Sequence, residues 1–116
     1  MTKRNDIFFL EDINNSITKI LKYTENMMFQ EFQDDEKTID AVERNFEIIG
    51  EAVKKLSVTI KNKYSDVPFK QIAGMRDKLI HDYFGVDYEI VYKTIKDKLP
   101  ELKVKIEKII KDYAAN

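Results

Sequence analysis

The chain has 116 residues, 43% hydrophobic and 35% charged, with three Gly, two Pro, one His and no Cys. That balance fits one ordered domain spanning 1–116 and excludes a low-complexity tract, a disulfide framework and a thiolate or His-rich metal cluster. The net charge of −1 argues mildly against gripping nucleic acid by bulk charge, although Lys54, Lys55, Lys61, Lys63, Lys70, Arg76 and Lys78 gather mid-chain and leave room for a local basic surface.

At the start, Lys3, Arg4, Asp6, Glu11 and Asp12 surround an apolar run too short and too charged for a signal peptide or a membrane span. A cytoplasmic protein with no membrane association is expected. The first helix is predicted from about Asp6 to Tyr23, where Phe9, Ile13, Ile17, Ile20 and Leu21 recur at helical spacing. Residues 26–33 read as a connector. Asp34 and Asp35 are suited to cap a long second helix, whose dipole favours their charge. Along that helix Ile39, Val42, Phe46, Ile49, Val53 and Leu56 follow one another at steps of 3, 4, 3, 4 and 3, a seam for antiparallel packing. The carboxylates of Asp34, Asp35 and Glu36 are consecutive, so they fan outward; capping accounts for them better than a metal does.

The rhythm breaks over residues 60–68. Pro68 fits a first helical turn, and a third helix through Phe69, Ile72, Met75, Leu79 and Ile80 is predicted to stop near Gly85. Asp87 then caps a fourth helix from Tyr88 to about Lys98. Pro100 marks a kink or short break before a last helix bearing Leu102, Val104, Ile106, Ile109, Ile110 and Tyr113. No strand pattern stands out. The fold class is therefore all-α, an antiparallel bundle of four to five helices.

Chemistry concentrates in residues 74–85, where the single histidine, His81, lies among Arg76, Asp77, Lys78, Asp82 and Tyr83. Histidine exchanges protons near neutral pH and arginine offers a rigid fork of donors to phosphate oxygens, a pairing suited to phosphodiester cleavage. The plainer account, preferred on chemistry alone, has His81 favoured by a helix C-terminus and Arg76 solvated. On a continuous helix, residues five apart diverge by about 140°, so Arg76 and His81 would not share a face, whereas Arg76 and Tyr83, seven apart, would. A two-fold dimer would let two copies of the segment converge on one groove. On the second helix Arg44, Glu47 and Glu51 share a face, and read either as an intrahelical ion-pair ladder, the preferred account, or as carboxylates buttressing Arg76.

Arg76, four intervening residues, His81, one residue and Tyr83 resemble the R-x4-H-x-Y motif of HepT toxins in the HEPN superfamily. Residues 44–52, RNFEIIGEA, resemble that family's second-helix signature, and IAGMR at 72–76 with HDYFGVD at 81–87 resembles its third. The resemblance implies a HEPN bundle forming a two-fold homodimer, and an RNA endonuclease that needs neither metal nor cofactor. In it His81 acts as general acid or base and Arg76 stabilises the phosphorane charge, while Asp77 reads equally as a residue orienting Arg76 or His81 and as a solvated helix residue. It further implies the toxin of a type VII-like toxin–antitoxin pair, silenced when an MntA-like nucleotidyltransferase antitoxin adenylylates Tyr83. The alternative is a non-catalytic HEPN module that binds nucleotide or protein. Phe69 and Tyr92 stand where family members often carry tryptophan, and read as packing positions.

Overall fold

The computed structural model describes residues 2–81 and 85–115; for residues 2–4, 80, 81, 85 and 86 the description is of the backbone. In chain order it contains α1 (Thr2–Tyr23), α2 (Phe29–Asp34), α3 (Glu36–Lys55), α4 (Val58–Lys63), α5 (Phe69–Ala73), α6 (Met75–Leu79), β1 (Ile80–His81), β2 (Gly85–Val86), α7 (Tyr88–Lys93), a π-helical turn (Thr94–Lys98) and α8 (Leu99–Ala114). The architecture is all-helical apart from one two-residue antiparallel ladder that pairs Ile80 with Val86 and His81 with Gly85.

The three long helices form the frame. Leu10, Ile13, Ile17 and Ile20 of α1 are completely buried against Val42, Phe46, Ile49 and Val53 of α3 and Leu99, Leu102, Ile106 and Ile109 of α8. Each helix thus hides one apolar stripe and turns its charges outward, which is how an amphipathic helix becomes stable in a bundle. Leu10, rather than Phe9 or Leu21, completes the α1 stripe; the latter two are only partly buried. Val104 is 67% exposed, because it sits two residues from both Leu102 and Ile106 and so on the far side of α8.

Polar contacts fix the directions. At its N-terminal end, α1 meets the residue that follows α3 and caps α4: the Ser57 N–H and hydroxyl donate to Asp6 Oδ1 and Oδ2 at 2.8 and 2.5 Å. At the other end of α1, Lys96 Nζ donates to the Thr24 carbonyl at 3.1 Å, just before α8 begins. The central helix therefore runs antiparallel to both neighbours. Asp6 is 2% exposed, and its loss would leave the partly buried Ser57 N–H without this acceptor. Asp6→Ala is expected to destabilise the fold by about 1–3 kcal/mol, with Asp6→Asn losing less because one acceptor remains. Urea denaturation measures this; an unchanged midpoint for the alanine variant would refute it.

Several boundaries depart from the sequence expectation for identifiable reasons. Helix α1 begins at Thr2, four residues earlier than the apolar pattern indicates, since the helical backbone continues beyond the apolar stripe that the pattern follows. The expected connector coils into α2 because Phe32 is fully buried and Glu31 accepts the Met28 N–H at 3.0 Å. Asn26 adopts φ 62°, a left-handed conformation that asparagine tolerates, in the turn leading there. Asp35, not Asp34, caps α3 by accepting from Thr38 N at 3.0 Å. Asp87 caps α7 as its position suggested, accepting from Ile90 N at 3.2 Å.

The predicted third helix is divided at Gly74 into α5 and α6, and ends at Leu79 rather than near Gly85. Past Leu79, Ile80 and His81 are extended, and the Leu79 carbonyl accepts from Asp87 N at 3.2 Å. Conversely, Pro100 produces no break. Proline has no N–H to close an ordinary turn, and the helix widens just before it, with Leu99 N–H reaching back five residues to Thr94 O. None of the helices among the described residues is long and apolar enough to cross a membrane.

Candidate active site

Arg76 occupies the first turn of α6, a helix pinned by buried Leu79 and joined through Gly74 to α5, which buries Phe69 and Ile72. Both short helices pack against α3. Their approach depends on Gly50, since a Cβ there would lie 3.0 Å from the Ala73 carbonyl oxygen. Gly50→Val adds three carbons to that contact and is expected to cost about 1–3 kcal/mol through overpacking. The urea midpoint should fall accordingly; a variant as stable as the parent would show that α5 can move aside freely.

This packing brings Arg76 to the polar flank of α3. Its Nη2 lies 3.3 Å from Glu43 Oε1 and donates to it, its Nε lies 3.9 Å from Glu47 Oε1, and its Nη1 lies 3.5 Å from Asp77 Oδ1. Burial works against the guanidinium charge, but the hydrogen bond to Asp77 and the charges of Glu47, Glu43 and Asp77 outweigh it and raise the Arg76 pKa above its ordinary value. The side chain is 29% exposed, so the cation is sheltered yet reachable.

Of the two buttress candidates, Glu47 lies beside Arg76 and also 3.9 Å from Arg44, so the ladder and the buttress coexist at that residue. Glu51 pairs instead with Lys54 at 3.7 Å. Glu43, which sequence reasoning does not single out, lies nearer to Arg76 than Glu47 or Asp77, at 3.3 Å against 3.9 and 3.5 Å. The available signal was its position four residues before Glu47, one turn along the same face. Asp77 is 81% exposed and touches Arg76 from within α6.

The backbone of His81 lies in β1, past the end of α6. The angular separation counted along one helix therefore does not apply to Arg76 and His81, and it no longer requires a second copy to bring these two groups together. The His81 side chain and the whole of Tyr83 lie outside the described residues. Arg76 opens onto a cleft of about 460 Å3 whose other walls include Phe9, Asp12, Glu51, Lys54 and Lys55. Four basic and four acidic side chains line it, Arg44, Lys54, Lys55 and Arg76 against Asp12, Glu47, Glu51 and Asp77. The mid-chain lysines do not all join it, since Lys63 rests instead over the rings of Tyr64 and Tyr113. Tyr92 is a packing residue: its ring meets Phe29 edge-on and Phe32 at a tilt, and its hydroxyl donates to Met27 O at 2.7 Å.

The family model described as "Ribonuclease HepT-like" matches residues 13–109. A Methanocaldococcus jannaschii protein named "Putative RNase MJ1216" is 51% identical over 97% of this chain and 93% of its own length. "Probable ribonuclease HepT" of Thermococcus cleftensis is 45% identical over 94% of this chain and 99% of its own. "Putative RNase TTE0752" of Caldanaerobacter subterraneus is 43% identical over 88% and 91%. No solved structure matches the chain.

Proposed function

The chain belongs to the HepT-like ribonuclease family, and on that premise we propose that it is an RNA endonuclease that works without a metal, the toxin of a toxin–antitoxin pair. The observation that carries this reading is the sheltered, carboxylate-held guanidinium of Arg76 at the mouth of a cleft, five residues before the only histidine. In the proposed reaction the ribose 2′-oxygen forms a bond to the adjacent phosphorus while the bond to the 5′-oxygen breaks, leaving a 2′,3′-cyclic phosphate. His81 serves as general acid or base, taking the 2′-hydroxyl proton or delivering one to the leaving oxygen. Arg76 offsets the charge that builds on the phosphorane oxygens, the kind of preorganised electrostatic contribution that dominates such chemistry. Asp77 supports Arg76, and Glu47 buttresses it.

Control is proposed to act at Tyr83. An MntA-like nucleotidyltransferase would join the tyrosine oxygen to the α-phosphorus of ATP and release pyrophosphate. The attached nucleotide would bring anionic phosphate into the neighbourhood of Arg76 and compete with RNA for it. The active unit is proposed to be a two-fold homodimer in the cytoplasm, as the family resemblance implies.

Two measurements test this reading. Purified protein should cleave RNA in excess chelator, giving 2′,3′-cyclic ends. Co-expression with a nucleotidyltransferase antitoxin should add adenylyl mass steps that vanish in Tyr83→Phe, with loss of cleavage in the modified form. Binding of RNA with no cleavage by the unmodified protein would favour the non-catalytic module instead.

A further inference from the structure

We propose that Glu43 is the residue that positions Arg76 for catalysis, an inference that rests on Arg76 acting as the cation in RNA cleavage. Glu43 follows Asp40 by three residues and precedes Glu47 by four on α3, so three carboxylates form a stripe beside the apolar seam. Its neighbours at three and four residues are Ile39, Asp40, Phe46 and Glu47, which include no cation. Like charges at such spacings disfavour a helix, and Glu43 offsets that by meeting Arg76 from α6. By contrast, Glu47 is shared with Arg44, and Glu51 faces Lys54, both within α3.

Among the described residues, the carboxylates of Asp77, Glu47 and Glu43 around Arg76 differ in shelter and in what they are attached to. Asp77 is 81% exposed and moves with α6, so it does not hold the guanidinium relative to the bundle. Glu47 is 41% exposed at 3.9 Å, whereas Glu43 is 28% exposed at 3.3 Å. Attraction between partly exposed charges weakens with exposure, which ranks Glu43 first. Glu43 and Glu47 together face the Nε–Nη2 edge of the guanidinium. Held along that edge by two carboxylates of α3, the planar group keeps one orientation toward the cleft.

A half-exposed ion pair contributes little to stability, whereas small misplacement of a charge at the reacting centre can slow a reaction about 100-fold. Glu43→Gln keeps the shape and an acceptor oxygen but removes the charge. It is expected to lower kcat by about 10–100-fold with KM nearly unchanged and melting temperature unmoved. In an Arg76→Ala background the same substitution should cause no further loss. Glu43→Asp, which keeps the charge but withdraws the carboxylate, should also slow kcat, and guards against a folding defect peculiar to glutamine.

The test uses one labelled RNA and four proteins: parent, Glu43→Gln, Arg76→Ala and the double variant, with Glu43→Asp alongside. If Glu43→Gln and Glu43→Asp cleave at the parent rate while Arg76→Ala is slow, the positioning role is overturned and the catalytic reading stands. An equal fold-loss from Glu43→Gln with and without Arg76 overturns it as well, because the residue then acts on the structure generally. If Arg76→Ala cleaves like the parent, the catalytic reading fails and the positioning role fails with it.

Discussion

His81→Ala is expected to slow RNA cleavage by about 10²–10⁴-fold, the range removed with a general acid or base. The substitution should leave the fold intact. The backbone of His81 pairs with Gly85 in a two-residue ladder that any residue can join, and Asp87 N–H donates to Leu79 O beside it. Alanine keeps both backbone groups. A rate loss with an unchanged melting temperature is thus the signature of lost chemistry. Single-turnover cleavage at saturating enzyme separates this step from binding and product release. Parent-like rates from a folded His81→Ala protein would remove the histidine from the mechanism.

Phe46→Ala is expected to cost about 3–5 kcal/mol, the largest stability loss among the substitutions considered. Phe46 is 1% exposed at the middle of the α3 seam, flanked along the helix by Val42 and Ile49, and faces the fully buried residues of α1. A truncated ring leaves a cavity that two packed long helices cannot close without shifting their axes. Because Phe46 stands between Glu43 and Glu47 in sequence, that shift would also disturb the grip on Arg76. Urea denaturation and cleavage should therefore both suffer. A loss under 1 kcal/mol would mean that α3 does not carry the core.

The long helices were readable because their signal repeats. Each of Ile39, Val42, Phe46, Ile49, Val53 and Leu56 is buried, as the alternating steps of three and four imply, and Asp35 and Asp87 cap where their chemistry suggests. The region from Pro68 to Gly85 reads as one helix in the sequence because its apolar residues do follow helical spacing. What divides it is tertiary: Gly74 lets α5 turn into α6, and Leu79 O finds a partner eight residues later instead of one turn on. Periodicity carries no record of either. The same holds for the candidate site. Arg76 is visible as a motif residue, but Glu43, 33 positions earlier, becomes significant only once the chain has folded back to bring α6 onto α3. Glu47 and Glu51 look equivalent along the helix; the packing of α6 places the first by Arg76, while the second pairs with Lys54.

The central claim, that a carboxylate-held Arg76 is the working cation of an RNA-cleaving site, is tested most directly by the initial rate of cleavage of a labelled RNA in excess chelator, parent beside Arg76→Ala. The parent should cleave, and the variant, still folded by circular dichroism, should be slower by about 10²–10³-fold. Equal rates for the two folded proteins would contradict it.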